Sequence, residues 1–208
     1  QSANFTQSSL AMSILNESML AQSSFAQSAL PSIVYSGICP QEFLFINPLN
    51  QIPALSVGQQ NYFDSDVILQ FLDTLHKGPP LIPEENKFKH LTSVHIANAV
   101  IESTLLRIME KRRAKTEYSP TFISHLEVRI FRGIAEMEKT RIEQIGEPLN
   151  GAELTTAIAL SYVDFRFTRD WRDKAPRLSN WHAFIEQRSS MICSQPTRSK
   201  PTHSPVSN

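Results

Sequence analysis

Two short segments of this chain carry residue types that could hold a small peptide. In Tyr62-Phe63-Asp64-Ser65 the last two residues stand just ahead of Val67, Ile68, Phe71, Leu72 and Leu75, an apolar series at helical spacing. A helix start presents unpaired N–H groups and a partial positive charge, which suits a carboxylate. The amide and hydroxyl of Ser65 would hold that carboxylate, and Asp64 would accept from an α-ammonium. The plainer alternative is that Asp64 and Ser65 only cap their own helix. The second segment is Asn47-Pro48-Leu49-Asn50-Gln51-Ile52-Pro53-Ala54-Leu55. A Pro directly before a strand cannot donate to the ladder and marks an edge or a special turn. A cis Ile52–Pro53 bond would turn the Ile52 backbone outward, free to pair like a strand with an extended peptide. A trans bond, the commoner state by roughly 19 to 1, would leave an ordinary edge.

The elements around these residues follow from patterning. Ser32-Ile33-Val34-Tyr35-Ser36 is a β-type run closed by Gly37, and Ala54–Val57 and Tyr62-Phe63 flank Gly58-Gln59-Gln60-Asn61 as a hairpin. The helix after Asp64-Ser65 stops at Gly78-Pro79-Pro80. Residues 85–192 read as helices only. One stripe runs Phe88, Leu91, Val94, Ile101, Leu105, Ile108, with Asn98 in the place of a missing apolar residue. Another runs Ile123, Leu126, Ile130, Ile134, Met137, Ile145, opened by Ser119-Pro120. Shorter helices are predicted over 154–165 and 176–188, the latter with Leu178, Trp181, Phe184 and Ile185 inward. Residues 1–30 are rich in Ser, Gln and Ala, with a weakly amphipathic helix within 16–30. The tail from Ser194 lacks apolar periodicity and reads as disordered. The expected organisation is an α/β unit over 1–77, an all-α unit over 85–193, and a tail over 194–208.

Composition narrows the function. The 208 residues are 41% hydrophobic, enough for a packed core, and the net charge is +0, from 20 basic and 20 acidic residues. No long-range field draws nucleic acid or an anionic membrane, and Lys111-Arg112-Arg113 reads as a solvated helix end. No apolar run reaches the about 18 residues that span a bilayer. Gln1 to Leu30 has no basic stretch ahead of a continuous apolar core, so no secretion signal is expected; the chain begins at Gln1, as a fragment would. Two cysteines, Cys39 and Cys193, suggest neither a disulfide framework nor a metal site. A cytoplasmic location is the expectation.

The run Glu42-Phe43-Leu44-Phe45-Ile46-Asn47-Pro48 through Leu55, followed by Tyr62-Phe63-Asp64-Ser65-Asp66-Val67-Ile68-Leu69-Gln70-Phe71-Leu72-Asp73, resembles the cytosolic glutathione S-transferases in order and spacing. In the second half, Arg107–Arg113, Tyr162–Phe167, Asp170-Trp171-Arg172, Pro176-Arg177-Leu178 and Trp181 are similar to the helical domain of a bacterial and fungal branch of that family. The similarity spans roughly residues 31–193. It implies a thioredoxin-like N-terminal domain, whole or incomplete, followed by a helical C-terminal domain. It further implies that Ile52, ahead of Pro53, pairs with the cysteinyl backbone of glutathione. Asp64 and Ser65 would hold its γ-glutamyl end, with Gln51 beside the glycyl part. No metal or cofactor beyond glutathione is implied, and a homodimer is expected. Trp171 and Trp181 are expected to be core residues, and Asp164 with Arg166 a buried or domain-bridging structural pair.

The chain departs from the family pattern twice. The family's activating Ser, Tyr or Cys follows the first strand, typically in a stretch like SPxxRK. Here Ser13-Ile14-Leu15-Asn16-Glu17-Ser18-Met19-Leu20-Ala21-Gln22 has no Pro and no basic residue, and Ser13 and Ser18 are the nearest hydroxyls able to stabilise a thiolate. At Leu154-Thr155-Thr156-Ala157-Ile158-Ala159 the expected Asp is absent, so a shortened helix capped by Thr155 or Thr156 and a relaxed core are predicted. The leading expectation is a glutathione transferase that conjugates the thiolate to a small apolar electrophile. The alternative is a non-catalytic binding or interaction protein of the same fold, which the altered N-terminal stretch favours.

Overall fold

The computed structural model describes residues 32–33, 44–50, 53–75, 77–140 and 149–194. Three antiparallel strands form its sheet in the order β1-β2-β3: β1 Ser32–Ile33, β2 Ala54–Val57 and β3 Gln60–Phe63. β1 sets Ile33 opposite Leu55; β2 sets Ala54 opposite Phe63 and Val57 opposite Gln60. The hairpin loop is therefore two residues, Gly58-Gln59, shorter than the four read from the sequence. Gly58 adopts φ 60, and Gly at the first central position suits a turn whose twist matches the strands. Asn61 belongs to the strand, paired in the ladder with Ser56, whose Oγ donates to its Oδ1 at 2.8 Å. Helix α1, Ser65–Asp73, packs its Ile68, Leu69 and Leu72 against this sheet, with Phe71 stacked on Tyr62 at 4.3 Å.

Six further helices follow among the described residues: α2 Lys87–Lys111, α3 Pro120–Thr140, α4 Gly151–Arg166, α5 Trp171–Lys174, α6 Pro176–Ile185 and α7 Ser189–Cys193. In α3 the predicted stripe is buried residue for residue from Ile123 to Met137, and Ser119 Oγ accepts from the Phe122 amide at 3.2 Å; Ile145 lies outside the described residues. Helix α2 is different. It runs between α3 and α4, so both its flanks are covered and the buried set widens to Val94, Ala97, Val100, Ile101, Ser103, Thr104 and Arg107. Phe88, predicted inward, is 81% exposed in the first turn. The buried hydroxyls donate to their own helix, Ser103 to Ala99 O and Thr104 to Val100 O. The Arg107 guanidinium is paired with Glu127 at 2.6 Å and lies 3.7 Å over the Phe167 ring.

Two expectations are corrected at the C-terminal end. Helix α4 is not shortened: it begins at Gly151, with Asn150 accepting from the Glu153 amide at 3.0 Å and Glu153 accepting from the Asn150 amide at 3.1 Å. This reciprocal capping box sits a turn ahead of Thr155, which donates to Gly151 O within the helix. The predicted 176–188 helix ends at Ile185, and α7 follows; Leu178, Trp181 and Ile185 are buried, but Phe184 is 46% exposed. Ser194 is also buried, donating to Ser190 O at 2.6 Å.

One hydrophobic cluster runs from Leu55, Ile68 and Leu72 through Val100, Ile130 and Ile134 to Leu160, Trp171 and Met191. Sheet and helices thus share a core. The connection between them is fastened at Leu81, whose N–H donates to Asp73 Oδ1 at 2.9 Å and whose carbonyl accepts from the Gly151 amide at 2.6 Å. No helix among the described residues is long and apolar enough to cross a membrane.

Candidate functional site

The ladder brings together the two segments singled out at the start. Because Ala54 pairs with Phe63, Pro53 and Asp64 fall at the same end of the hairpin, in the place of the next rung. Pro53 is buried there. The loop leading to it is built on Asn47, which is 2% exposed: its Oδ1 accepts from the Leu49 amide at 3.0 Å and its carbonyl from Asn50 at 2.9 Å. Asn61 of β3 donates to Phe45 O at 3.3 Å, tying this loop to the sheet. Gln51, Ile52, Ser13 and Ser18 lie outside the described residues.

Asp64 does cap its helix, and the manner of the cap matters. A single carboxylate oxygen, Oδ1, accepts from the amides of Asp66 at 3.0 Å and Val67 at 3.4 Å. Oδ2 and the Ser65 amide stand outside this cap. Asp64 also has φ 77 and ψ 132, a left-handed backbone that costs a non-glycine residue about 1–3 kcal/mol. The strain turns the chain from β3 into α1 so that the helix start meets solvent beside Pro53. Asp64 is exposed and Ser65 half-buried. The arrangement offers a carboxylate oxygen, a hydroxyl and a helix-terminal amide within two consecutive residues, which is what a zwitterionic amino-acid end requires.

A second polar cluster lies in the helical part. Arg172 grips both oxygens of Asp164, Nη2 to Oδ2 at 2.6 Å, and the Trp171 indole N–H donates to Oδ1 at 2.8 Å. Asp164 thus takes Arg172 as its fork partner, not the Arg166 expected from sequence; the Arg166 guanidinium lies 4.2 Å over the Phe165 ring. Fully buried His182 stands 3.0 Å from Ser161 Oγ through Nε2 and 3.4 Å from Arg172 Nη2 through Nδ1. Burial pushes its pKa below the ordinary imidazole value, against the pull of Glu186 and Asp164, and Arg172 adds to the depression. Asp164, His182 and Glu186 bring possible ligand atoms within 4.8 Å of one another, but the Arg172 fork already supplies the positive charge. This is a structural bolt joining α4, α5 and α6. A cavity of about 280 Å³ opens elsewhere, among Lys89, His90, Met137, Asn150, Glu153 and Leu178. None of the Pro53–Ser65 residues lines it, so its size says nothing of the chemistry there.

With this geometry in view, the likenesses to known proteins are informative. Residues 14–80 match the family model of the glutathione S-transferase N-terminal domain. Among solved structures, a glutathione transferase family member from Pseudomonas fluorescens Pf-5 with bound S-(propanoic acid)-glutathione is 29% identical, with 92% of this chain and 96% of that chain covered and a TM-score of 0.78. The form with bound glutathione is 28% identical over 95% and 97% of the two chains, also at 0.78. A glutathione S-transferase from Methylobacillus flagellatus KT with glutathione bound shares the fold at TM-score 0.77, at 21% identity over 93% and 96% of the chains. No curated protein matches the sequence. A thioredoxin-like sheet unit joined to a helical unit is the architecture these proteins share. Residues 14–80 thus resemble the glutathione S-transferase N-terminal domain, and over nearly its whole length the chain is similar in fold to glutathione transferases of solved structure.

Proposed function

We propose that the protein is a glutathione transferase, binding glutathione at the Pro53–Ser65 end of the hairpin and conjugating its thiolate to small apolar electrophiles. The observation that carries this reading is the partial cap at Asp64. One oxygen serves the helix, which leaves Oδ2 and the Ser65 amide to take a ligand's ammonium and carboxylate. Ile52, ahead of Pro53, pairs with the cysteinyl backbone, and Gln51 lies at the glycyl end. Ser18 or Ser13 supplies the hydroxyl that stabilises the thiolate. The electrophile lies between the two halves, against α2 around Ile101 to Met109, where Met109 is exposed. Bound glutathione in the Pseudomonas fluorescens structures supports the ligand. The protein acts in the cytoplasm as a homodimer, with no metal.

Glutathione-affinity chromatography beside a conjugation assay with an aryl halide tests the reading. Retention and turnover are expected, with turnover lost in Ser18→Ala or Ser13→Ala. Retention without turnover would establish the second reading, a glutathione-binding protein without the activating group, which the missing Pro and basic residues of 13–22 favour. A protein that is neither retained nor sensitive to Ser65→Ala would end both.

A further inference from the structure

Asn98 interrupts the apolar stripe of α2, and the structure shows what it does there. Its Nδ2 lies 3.3 Å and 3.2 Å from the two carboxylate oxygens of Asp66. Asp66 is the second residue of α1, and its own amide donates to Asp64 Oδ1. One residue of the first turn is thus held at both ends: by Asp64 through its backbone and by α2 through its side chain. Burial pushes the Asp66 carboxyl above the usual carboxylate range. The Asn98 amide draws it down, the Asp64 carboxylate pushes it up, and His95 draws it down. A negative charge kept one residue from a carboxylate-binding amide works against that amide, so it needs a fixed partner.

We propose that Asn98 is a positioning residue of the glutathione site: by gripping Asp66 it fixes the first turn of α1 against α2, and with it the aim of Asp64 and the Ser65 amide. The inference rests on the reading of Asp64 and Ser65 as holders of the γ-glutamyl end. Asn98 touches no ligand atom itself; it acts through Asp66, across 32 residues of sequence.

The test is calorimetric titration of glutathione into the parent, Asn98→Ala and the exchanged pair Asp66→Asn/Asn98→Asp, with thermal melts of each. Asn98→Ala is expected to lose about fivefold in affinity as the first turn of α1 loses its fixed aim, with its melt lowered by no more than one surface hydrogen bond accounts for. The exchanged pair remakes an amide–carboxylate bond and is expected to recover affinity. In carboxyl-carbon NMR, Asp66 titrates at higher pH in Asn98→Ala than in the parent. Parental affinity in Asn98→Ala overturns this inference alone. So does a loss that accompanies a lowered melt and is not recovered by the exchange. A parent that binds no glutathione refutes the ligand reading, and this inference with it.

Discussion

Pro53 and Asp64 stand side by side at the end of the β2–β3 hairpin, one residue beyond the Ala54–Phe63 pair. Strain and cap meet at the second of them, which allows binding and stability to be separated. Asp64→Gly gives up a side-chain cap at a cost of about a few tenths of a kcal/mol and relieves backbone strain of about 1–3 kcal/mol. The melt is therefore expected to hold or rise slightly. Glutathione affinity is expected to fall about tenfold, as a charge-assisted hydrogen bond to the ammonium is lost. Unaltered affinity by titration would reduce Asp64 to a cap.

Gly133 of α3 lies against Val100 of α2, where an added Cβ would come within 2.4 Å of Val100 Cγ2. A helical Val holds one rotamer and has little room to turn away. Gly133→Ala gains about 1 kcal/mol in helix propensity but overpacks the contact at a cost of about 1–3 kcal/mol. The clash prevails, and a lower urea midpoint is expected. Val100→Ala should cost less in the Gly133→Ala background than in the parent, and strict additivity would show that the helices separate without strain.

The Asp164–Arg172 fork predicts a large effect from a small change. Asp164 has a side chain only 6% exposed, and it gives Trp171 its indole partner. Arg172→Met leaves a buried carboxylate with no cation, a loss of about 3–5 kcal/mol. Arg172→Lys restores the charge without the two-pronged geometry and should recover only part of it. Denaturant titration distinguishes the three proteins, and equal stability of all three would contradict the fork's role.

His182 sets a pH dependence of stability. Its folded pKa lies below the ordinary 6.5, so the fold keeps it neutral while the unfolded chain takes up a proton near that pH. Where the unfolded state binds more protons, stability rises with pH. The contribution is complete above about pH 6.5 and is lost as pH falls toward the folded pKa. Asp164, Glu186 and Arg172 are the charged groups that face the ring. Melting temperatures from pH 7 downward should fall more steeply for the parent than for His182→Gln. Parallel curves would mean that the ring charges within the fold.

Much of this arrangement could be read from the chain, and what escaped did so for physical reasons. The α3 stripe was legible because one face meets the core and the other meets water, so burial follows the helical repeat. In α2, covered on two flanks, small and polar residues such as Ser103, Thr104 and Arg107 are buried, and the apolar repeat understates the contact. The resemblance joins Pro53, Asp64 and Ser65 into one expected site, but the left-handed backbone of Asp64 leaves no mark on composition. The Asn150–Glu153 box stands in the sequence as a polar residue three ahead of Glu, and a helix start read from Thr155 or Thr156 falls a turn late. Asp164 and Arg172 are joined by the path of the chain through α5, and no local repeat announces such a pairing.

The fastening at Leu81 bears on how a substrate can enter. With its amide held from α1 and its carbonyl held from α4, the connection works as a rivet instead of a tether. The two halves cannot gape like a hinged shell without breaking both bonds at that residue and parting a common core. If the Pro53–Ser65 end of the hairpin takes glutathione as proposed, its ligand must come and go without the two halves parting.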